Sequence, residues 1–96
     1  MPSFRVVVPV GRLRAGVPAP AIEPAAAEAA RRLAVVEATS VDVVAGEARI
    51  TVRFTADRLD DALAVALETV AGIDKLAETG SWRLTERVGG RWFRRA

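Results

Sequence analysis

The sequence predicts an α+β fold in which two helices pack on one face of an antiparallel sheet. Several segments rich in β-branched residues alternate apolar and polar positions with a period of two, which is typical of strands. Two other segments carry apolar residues at helical spacing. Along the 96 residues the order is strand, helix, strand, strand, helix, strand, with one extra strand at the C-terminal end. This length and order fit one domain over residues 1–96.

The first half of the chain begins with a predicted strand and helix. Residues 3–10 (SFRVVVPV) form the strand, because every second side chain is apolar and β-branched residues dominate. Residues 11–20 (GRLRAGVPAP) are predicted as a mobile loop, since glycine and proline interrupt regular structure. The first helix is predicted over residues 21–38, and Pro24 is tolerated in its first turn.

A β-hairpin is predicted after this helix. Residues 39–44 (TSVDVV) and 48–55 (ARITVRFT) alternate, and only AGEA separates them. A two-residue turn at Gly46-Glu47 suits a type II′ hairpin and places Val43 opposite Ile50. Both strands then direct their apolar residues to the same face of the sheet.

The second half of the chain is also predicted to contain one helix followed by two strands. The second helix is predicted over residues 57–71, with Asp57 as its N-cap and Gly72 just beyond its end. Two more strands flank a turn at Gly89-Gly90. This turn directs Phe93 toward the core and Trp92 to the opposite face, and it lets Glu86 reach Arg91 or Arg95 diagonally.

The order β-α-β-β-α-β with one extra C-terminal strand predicts a ferredoxin-like plait. Right-handed crossovers and short connections leave few other arrangements of these segments. With the five predicted strands numbered along the chain, the expected order in the sheet is 5-4-1-3-2. Because many unrelated functions use this fold, it does not by itself indicate what the protein does.

This topology predicts a helix-free sheet face that is rich in arginine. Alternation directs seven candidate partner-binding residues to it: Arg5, Arg49, Arg53, Arg83, Arg87, Trp92 and Arg94. The same alternation directs Phe4 and Phe54 into the core. A cation–π contact between Trp92 and a neighbouring arginine is therefore expected.

Our main hypothesis for this face is a protein-interaction or assembly module. Tryptophan and arginine are the residues most favoured at interface hot spots. Acidic residues on or beside the second helix, such as Asp60 and Glu68, could provide a complementary surface on a second copy. We therefore expect self-association as a homodimer or larger assembly, or binding to an acidic surface of another protein.

The alternative hypothesis is weak, sequence-tolerant binding of single-stranded nucleic acid through the same residues. RNA-recognition modules of similar topology stack bases on aromatic residues of the two central strands. Here no aromatic residue is expected to point outward on those strands, so Trp92 would be the single stacking residue.

Composition offers a simpler reason for the arginine content. The chain has 14 basic residues, all arginine except Lys75, and its formal net charge is only +2. It also lacks Asn, Gln, His, Cys and Tyr, a bias typical of a high-GC genome. Net charge alone is therefore little evidence for a polyanionic partner.

The sequence lacks the residues that most active sites use. Without histidine or cysteine, a thiolate nucleophile is excluded and a transition-metal site is not expected. We therefore expect a protein that is not an enzyme, with no cofactor and no metal. Arg12 and Arg14, between the first strand and helix, are candidates for binding a small anion, although their glycine spacing matches no phosphate-loop motif.

The N-terminal segment does not have the pattern of a signal peptide. Its apolar patch VVVPV is shorter than the roughly 7–15 residues that such a core requires, and Arg12 and Arg14 follow closely. The longest apolar runs are also too short to cross a bilayer. These observations predict a cytoplasmic protein with no membrane association.

Overall fold

Six strands and two helices make up the computed structural model, which describes residues 1–96. A short 3₁₀ turn at Ala19–Ala21 precedes the first helix. In chain order the elements are β1 (Ser3–Leu13), α1 (Ile22–Arg31), β2 (Val36–Val44), β3 (Glu47–Thr55), α2 (Leu59–Asp74), β4 (Ala77–Thr79), β5 (Arg83–Val88) and β6 (Arg91–Arg94). Neither helix is long and apolar enough to span a membrane.

All strand pairs in the sheet are antiparallel, and the order is β2-β3-β1-β5-β6. The short β4 pairs with the far end of β1, where Leu13 lies opposite Ala77. Thus β4 and β5 follow one another along the same edge of β1. The helices pack on one face, so the ferredoxin-like plait and the predicted strand order are confirmed, with β4 as an addition.

The core lies between the helices and the inner face of the central strands. The rings of Phe4 and Phe54 stack with their centroids 5.9 Å apart, and Val6 and Val52 beside them are fully buried. Alternation on β1 and β3 produces this apolar face. Alanines on the buried side of α1 allow the two helices to approach closely, because their side chains occupy little volume.

The first helix ends earlier than the sequence predicted. α1 stops at Arg31 rather than 38, and β2 begins at Val36. Val35 already accepts a hydrogen bond from the Thr55 amide, with N and O 3.2 Å apart. Adjacent β-branched residues favour the extended conformation, and pairing with β3 satisfies their main-chain groups.

The ends of α2 also differ from prediction. The helix begins at Leu59, and the N-cap residue is Arg58, whose side chain makes no capping bond; Asp57 is therefore not the cap. The helix continues through Gly72 to Asp74. A Cβ atom on Gly72 would lie 2.7 Å from the Cβ of Ala29. This glycine therefore allows α1 and α2 to touch rather than ending the helix.

The first hairpin turns one residue earlier than expected. Ala45 and Gly46 occupy the turn with φ of +52° and +79°, as a type I′ turn requires. Val41 consequently lies opposite Ile50, and Val43 opposite Ala48. This shift of two in the pairing register leaves every residue on its predicted face, because alternation has a period of two.

The segment 11–20 was predicted as a loop, but part of it is regular. β1 continues to Leu13 because β4 provides a pairing partner that sequence analysis had not identified. The Arg14 amide donates to the carbonyl of Leu76, with N and O 2.9 Å apart. This bond continues the pairing beyond the end of β1.

The second hairpin has the predicted register, with Arg87 opposite Trp92 and Glu86 opposite Phe93. Its helix-side face is not covered, however. Phe93 points to that side but remains 42% exposed, and Glu86 forms an ion pair with Arg95 at 3.0 Å. The prediction that Phe93 enters the core was wrong, because the core formed by the helices does not reach β6.

Candidate functional site

The sheet face opposite the helices carries all seven residues that alternation assigned to it. Arg5 lies opposite Arg53 on one side and Thr85 on the other, and Thr85 lies opposite Arg94. Directly opposite residues in a sheet project to the same face. We call the following set the arginine face: Arg5 on β1, Arg49 and Arg53 on β3, Arg83 and Arg87 on β5, and Trp92 and Arg94 on β6.

Trp92, on the edge strand β6, contacts arginines of the two central strands β1 and β3. The guanidinium carbon of Arg5 lies 3.8 Å from the centroid of the indole ring, and that of Arg53 lies 5.3 Å from it. The indole therefore extends from the edge strand β6 across β5 to the centre of the sheet. Both distances fall within the range of cation–π attraction, so the predicted contact is confirmed.

Positive charge accumulates around Arg5. Burial, followed by the positive charges of Arg53 and Arg87, lowers the pKa of Arg5 from its ordinary value. Each of these causes disfavours the charged guanidinium. Arg5 nevertheless stays cationic at neutral pH, because an arginine titrates far above it. An anion placed here would relieve the repulsion among the three guanidinium groups.

Carboxylates neutralise only the β2–β3 side of the face. Glu37 pairs with Arg53 at 3.2 Å and also accepts a bond from the Ser3 hydroxyl at 2.8 Å. Glu47 pairs with Arg49 at 3.3 Å. The remaining arginines of the face form no ion pair: Arg5, Arg83, Arg87 and Arg94. Unbalanced positive charge is thus concentrated on β1, β5 and β6.

A groove of about 550 Å³ crosses the arginine face between β2 and β5. Val7 and Thr51 contribute to its lining together with Ser40 and Asp42 of β2. Four arginines also line it: Arg5, Arg49, Arg53 and Arg83. Guanidinium groups can bind a carboxylate through two parallel hydrogen bonds. Arg49 and Arg53 already have carboxylate partners, so Arg5 and Arg83 are the lining residues that can hold an acidic side chain.

Arg14 is engaged within the fold. Its Nε donates to the main-chain carbonyl of Asp74 at 2.8 Å, and its terminal nitrogen lies 3.4 Å from the Asp74 carboxylate. The guanidinium thus satisfies a carbonyl at the C-terminal end of α2, where a positive charge is favourable. Arg12 is exposed near the end of β1 and forms no ion pair. Anion binding by this pair stays a prediction, with Arg14 already partly neutralised.

The structure also contains a second groove, which the sequence analysis missed. It has a volume of about 550 Å³ and lies on the helix side, between the end of β1, the start of α1 and the β2–β3 hairpin. Val10, Ile22, Val41 and Ile50 are among its apolar lining residues. Alternation correctly directed Val41 to this side, but it does not indicate how far the helices extend over the hairpin.

The carboxylates do not assemble into a recognisable metal site. No group of three or more Asp or Glu side chains is close enough to hold a metal ion. Among the serines, the Ser3 hydroxyl donates to Glu37, which also binds Arg53. That contact ties the N-terminal strand to β2. The absence of enzymatic activity stays a prediction.

Comparisons with known proteins add little to this description. No family model and no curated protein matches the chain. A solved structure described as a dimeric protein of unknown function and ferredoxin-like fold, from Bacteroides fragilis NCTC 9343, is similar over 88% of this chain and 94% of its own, with 17% identity and a TM-score of 0.39. Such a similarity does not bear on function or assembly. The ferredoxin-like fold is therefore assigned from this chain's own strand order and connections.

Proposed function

We propose that this chain is a non-enzymatic protein-interaction module whose arginine face binds an acidic segment or surface of a partner protein. The concentration of unneutralised guanidinium groups around Trp92 carries this proposal. Arg5, Arg53 and Arg87 share one region, and of the three only Arg53 has a carboxylate partner. Such an arrangement is unfavourable in the free protein and becomes favourable when a partner provides negative charge.

The shape of the face supports a protein partner. The groove combines arginines with the hydroxyl groups of Ser40 and Thr51, so both charged and neutral acceptors of a peptide can be bound. Trp92 contacts Arg5, one of the groove's lining residues, and is half-buried, so it presents apolar surface beside the charges. A rigid aromatic residue beside arginines is the composition that interface hot spots favour.

Nucleic-acid binding is the second candidate for the same residues, and the geometry favours it less. Stacking requires an aromatic ring with a free face. Arg5 already covers one face of the Trp92 ring, with its guanidinium carbon 3.8 Å from the centroid. Phe4 and Phe54 of the central strands are buried on the other side of the sheet, so β1 and β3 offer no base-stacking residue.

The acidic residues on the helices do not allow two copies to form a closed, two-fold symmetric contact through the arginine face. Asp60 and Asp61 lie in the first turn of α2, on the other side of the sheet from the arginine face. A contact between these two surfaces of neighbouring copies would be head-to-tail, and such contacts form open chains unless their rotation closes a ring. The arginine face therefore suits a different protein better than a second copy.

The proposal can be tested by fluorescence anisotropy with a labelled oligoglutamate peptide and a labelled thymidine oligonucleotide. Arg83 and Arg87 are exposed and form no ion pair, so the double substitution Arg83→Glu/Arg87→Glu should leave the fold intact. We expect the wild type to bind the peptide and this variant to bind it at least about tenfold more weakly, because both charges are reversed.

The matched control is Arg31→Glu/Arg58→Glu, which makes the same charge change on the helix side. Arg31 forms no ion pair, and Arg58 has only an exposed contact with Asp60 at 3.7 Å. Peptide binding should persist in this control. An equal loss in both variants, or no peptide binding by the wild type, would overturn the proposal. Tighter binding of the oligonucleotide than of the peptide would favour the second candidate instead.

A further inference from the structure

β2 is a long and poorly protected edge strand. It runs for nine residues, Val36–Val44, and most of its residues are exposed. The opposite edge, β6, has only four residues, and two of them are arginines. Natural sheets usually shorten their edges or protect them with charges, because an open edge pairs readily with another strand. β2 is not short, and charged side chains are absent from most of its length.

Apolar side chains accompany this open edge. Val41 is 48% exposed and Val43 is 70% exposed, both on the helix side of the sheet. Val41 also lines the apolar groove beside α1. On the regular part of the strand the single charged residue is Asp42, which lies on the other face opposite Arg49. The edge and the groove therefore form one continuous apolar surface.

The hairpin geometry determines which N–H and C=O groups of β2 point away from β3, toward the open edge. Val44 and Glu47 flank the two-residue turn and form its hydrogen-bonded closing pair. Hydrogen-bonded and non-hydrogen-bonded pairs then alternate along an antiparallel ladder. Thr39, Val41 and Val43 belong to the non-hydrogen-bonded pairs, so their N–H and C=O groups point away from β3 and are free to pair with another strand.

The available length of β2 selects one symmetric pairing register. A bulge between Val36 and Ala38 ends the regular strand on one side, and the turn at Ala45 ends it on the other. The regular segment is thus 38–44, and its central residue is Val41. A two-fold axis midway between Val41 and Val41 of a second copy pairs all of residues 38–44 with the same segment of that copy, whereas neighbouring registers pair fewer residues.

Charge selects the same register. With Val41 opposite its own copy, Asp42 lies opposite Ser40 of the second copy, and Val43 lies opposite Thr39. A shift toward the turn would instead place Asp42 opposite Asp42, and like charges directly opposite each other are destabilising. A shift the other way would bring Val43 toward Glu37 at the bulge.

We infer that this chain forms a two-fold symmetric dimer by antiparallel pairing of β2 with β2 of a second copy, centred on Val41. About six main-chain hydrogen bonds form, two at each of the three outward-pointing positions. The axis lies perpendicular to the sheet, so the helices of both copies stay on one side. The two apolar grooves then adjoin near the axis, and the two arginine faces form one larger surface.

This dimer is formed by the main-chain edge of β2, whereas the proposed function depends on the side chains of the arginine face, so either can fail alone. A seven-residue edge contact buries less than a standard interface, and we expect a dissociation constant of about micromolar size. Sedimentation velocity over about 5–200 μM should show a monomer–dimer equilibrium. Arg83→Glu/Arg87→Glu should leave this equilibrium unchanged.

Lysine substitutions test the edge directly. Val41→Lys places two ammonium groups opposite each other on the axis, and we expect it to weaken the dimer at least about tenfold. Val43→Lys should also weaken it. Val35→Lys is the matched control, because Val35 and Val43 are both 70% exposed but Val35 lies outside the regular segment. This control should dimerise like the wild type.

Single cysteines test the register, since the chain has no cysteine of its own. Opposite residues of a hydrogen-bonded pair have Cα atoms about 5.5 Å apart, which a disulfide can bridge. Val41→Cys should therefore crosslink under mild oxidation faster than Ser40→Cys or Asp42→Cys. A wild type that stays monomeric at 200 μM, a Val43→Lys variant that dimerises normally, or faster crosslinking at 40 or 42 would overturn the inference.

Discussion

The guanidinium of Arg5 lies 3.8 Å from the centre of the Trp92 ring, although β5 separates their two strands. The indole therefore covers an arginine on the central strand of the sheet. Burial of that arginine disfavours its charge, and the electron-rich face of the ring compensates in part. This contact joins the C-terminal hairpin to the middle of the arginine face.

A double-mutant cycle should detect this contact as a free-energy coupling. Trp92→Leu should lower the free energy of unfolding by about 1–2 kcal/mol, because it removes the cation–π contact and part of the aromatic surface. Combined with Arg5→Met, the cycle should give a coupling of about 0.5–1 kcal/mol in urea unfolding. The control cycle pairs Arg5→Met with Arg94→Met, which should be additive. Additive effects of Arg5→Met and Trp92→Leu would contradict the contact.

Relief of the charge repulsion around Arg5 should stabilise the protein. Arg87→Gln removes one of the two positive charges that lower the pKa of Arg5, so we expect the melting temperature to rise by about 2–4 °C. Added salt should raise the wild-type melting temperature and affect this variant less, because ions screen exposed charges. Arg31→Gln, on the helix side, should give no increase. A lower melting temperature for Arg87→Gln would show that the repulsion is unimportant.

Gly72→Ala should destabilise the protein even though alanine is the better helix former. The new Cβ atom would lie 2.7 Å from the Cβ of Ala29, so α1 and α2 would have to separate. We expect a loss of about 1–3 kcal/mol in chemical unfolding. Adding Ala29→Gly should recover part of that loss by making room. Equal or higher stability of Gly72→Ala alone would show that the helices are not in close contact there.

The turn of the first hairpin should be improved by asparagine at position 45. Ala45 has a φ of +52°, which costs a residue with a Cβ atom about 1–2 kcal/mol relative to its preferred conformations. Asparagine tolerates this conformation and precedes glycine in the favoured type I′ pair. Ala45→Asn should therefore raise the free energy of unfolding by about 0.5–1 kcal/mol. Gly46→Ala should have the opposite effect, and stabilisation by Gly46→Ala would argue against the type I′ turn.

Alternation in the sequence was sufficient to assign residues to the faces of the sheet. It directed Arg5 and Arg53 to the open face and Phe4 and Phe54 to the core, and the structure confirms all four positions. The strand order also followed from sequence, because handedness and short connections leave few topologies. Even the two-residue error at the first hairpin left these faces unchanged, since the period of a strand is two.

Tertiary contacts decided what alternation could not. Gly72 was expected to end α2, yet it lies inside the helix because α1 packs against it. Phe93 was expected in the core, yet it is half-exposed because helix coverage stops short of β6. Local sequence determines the direction of a side chain, whereas distant segments determine whether anything covers it. The exposure of Val41 and Val43 beside the β2 edge and the contact between Arg5 and Trp92 are likewise properties of the assembled sheet.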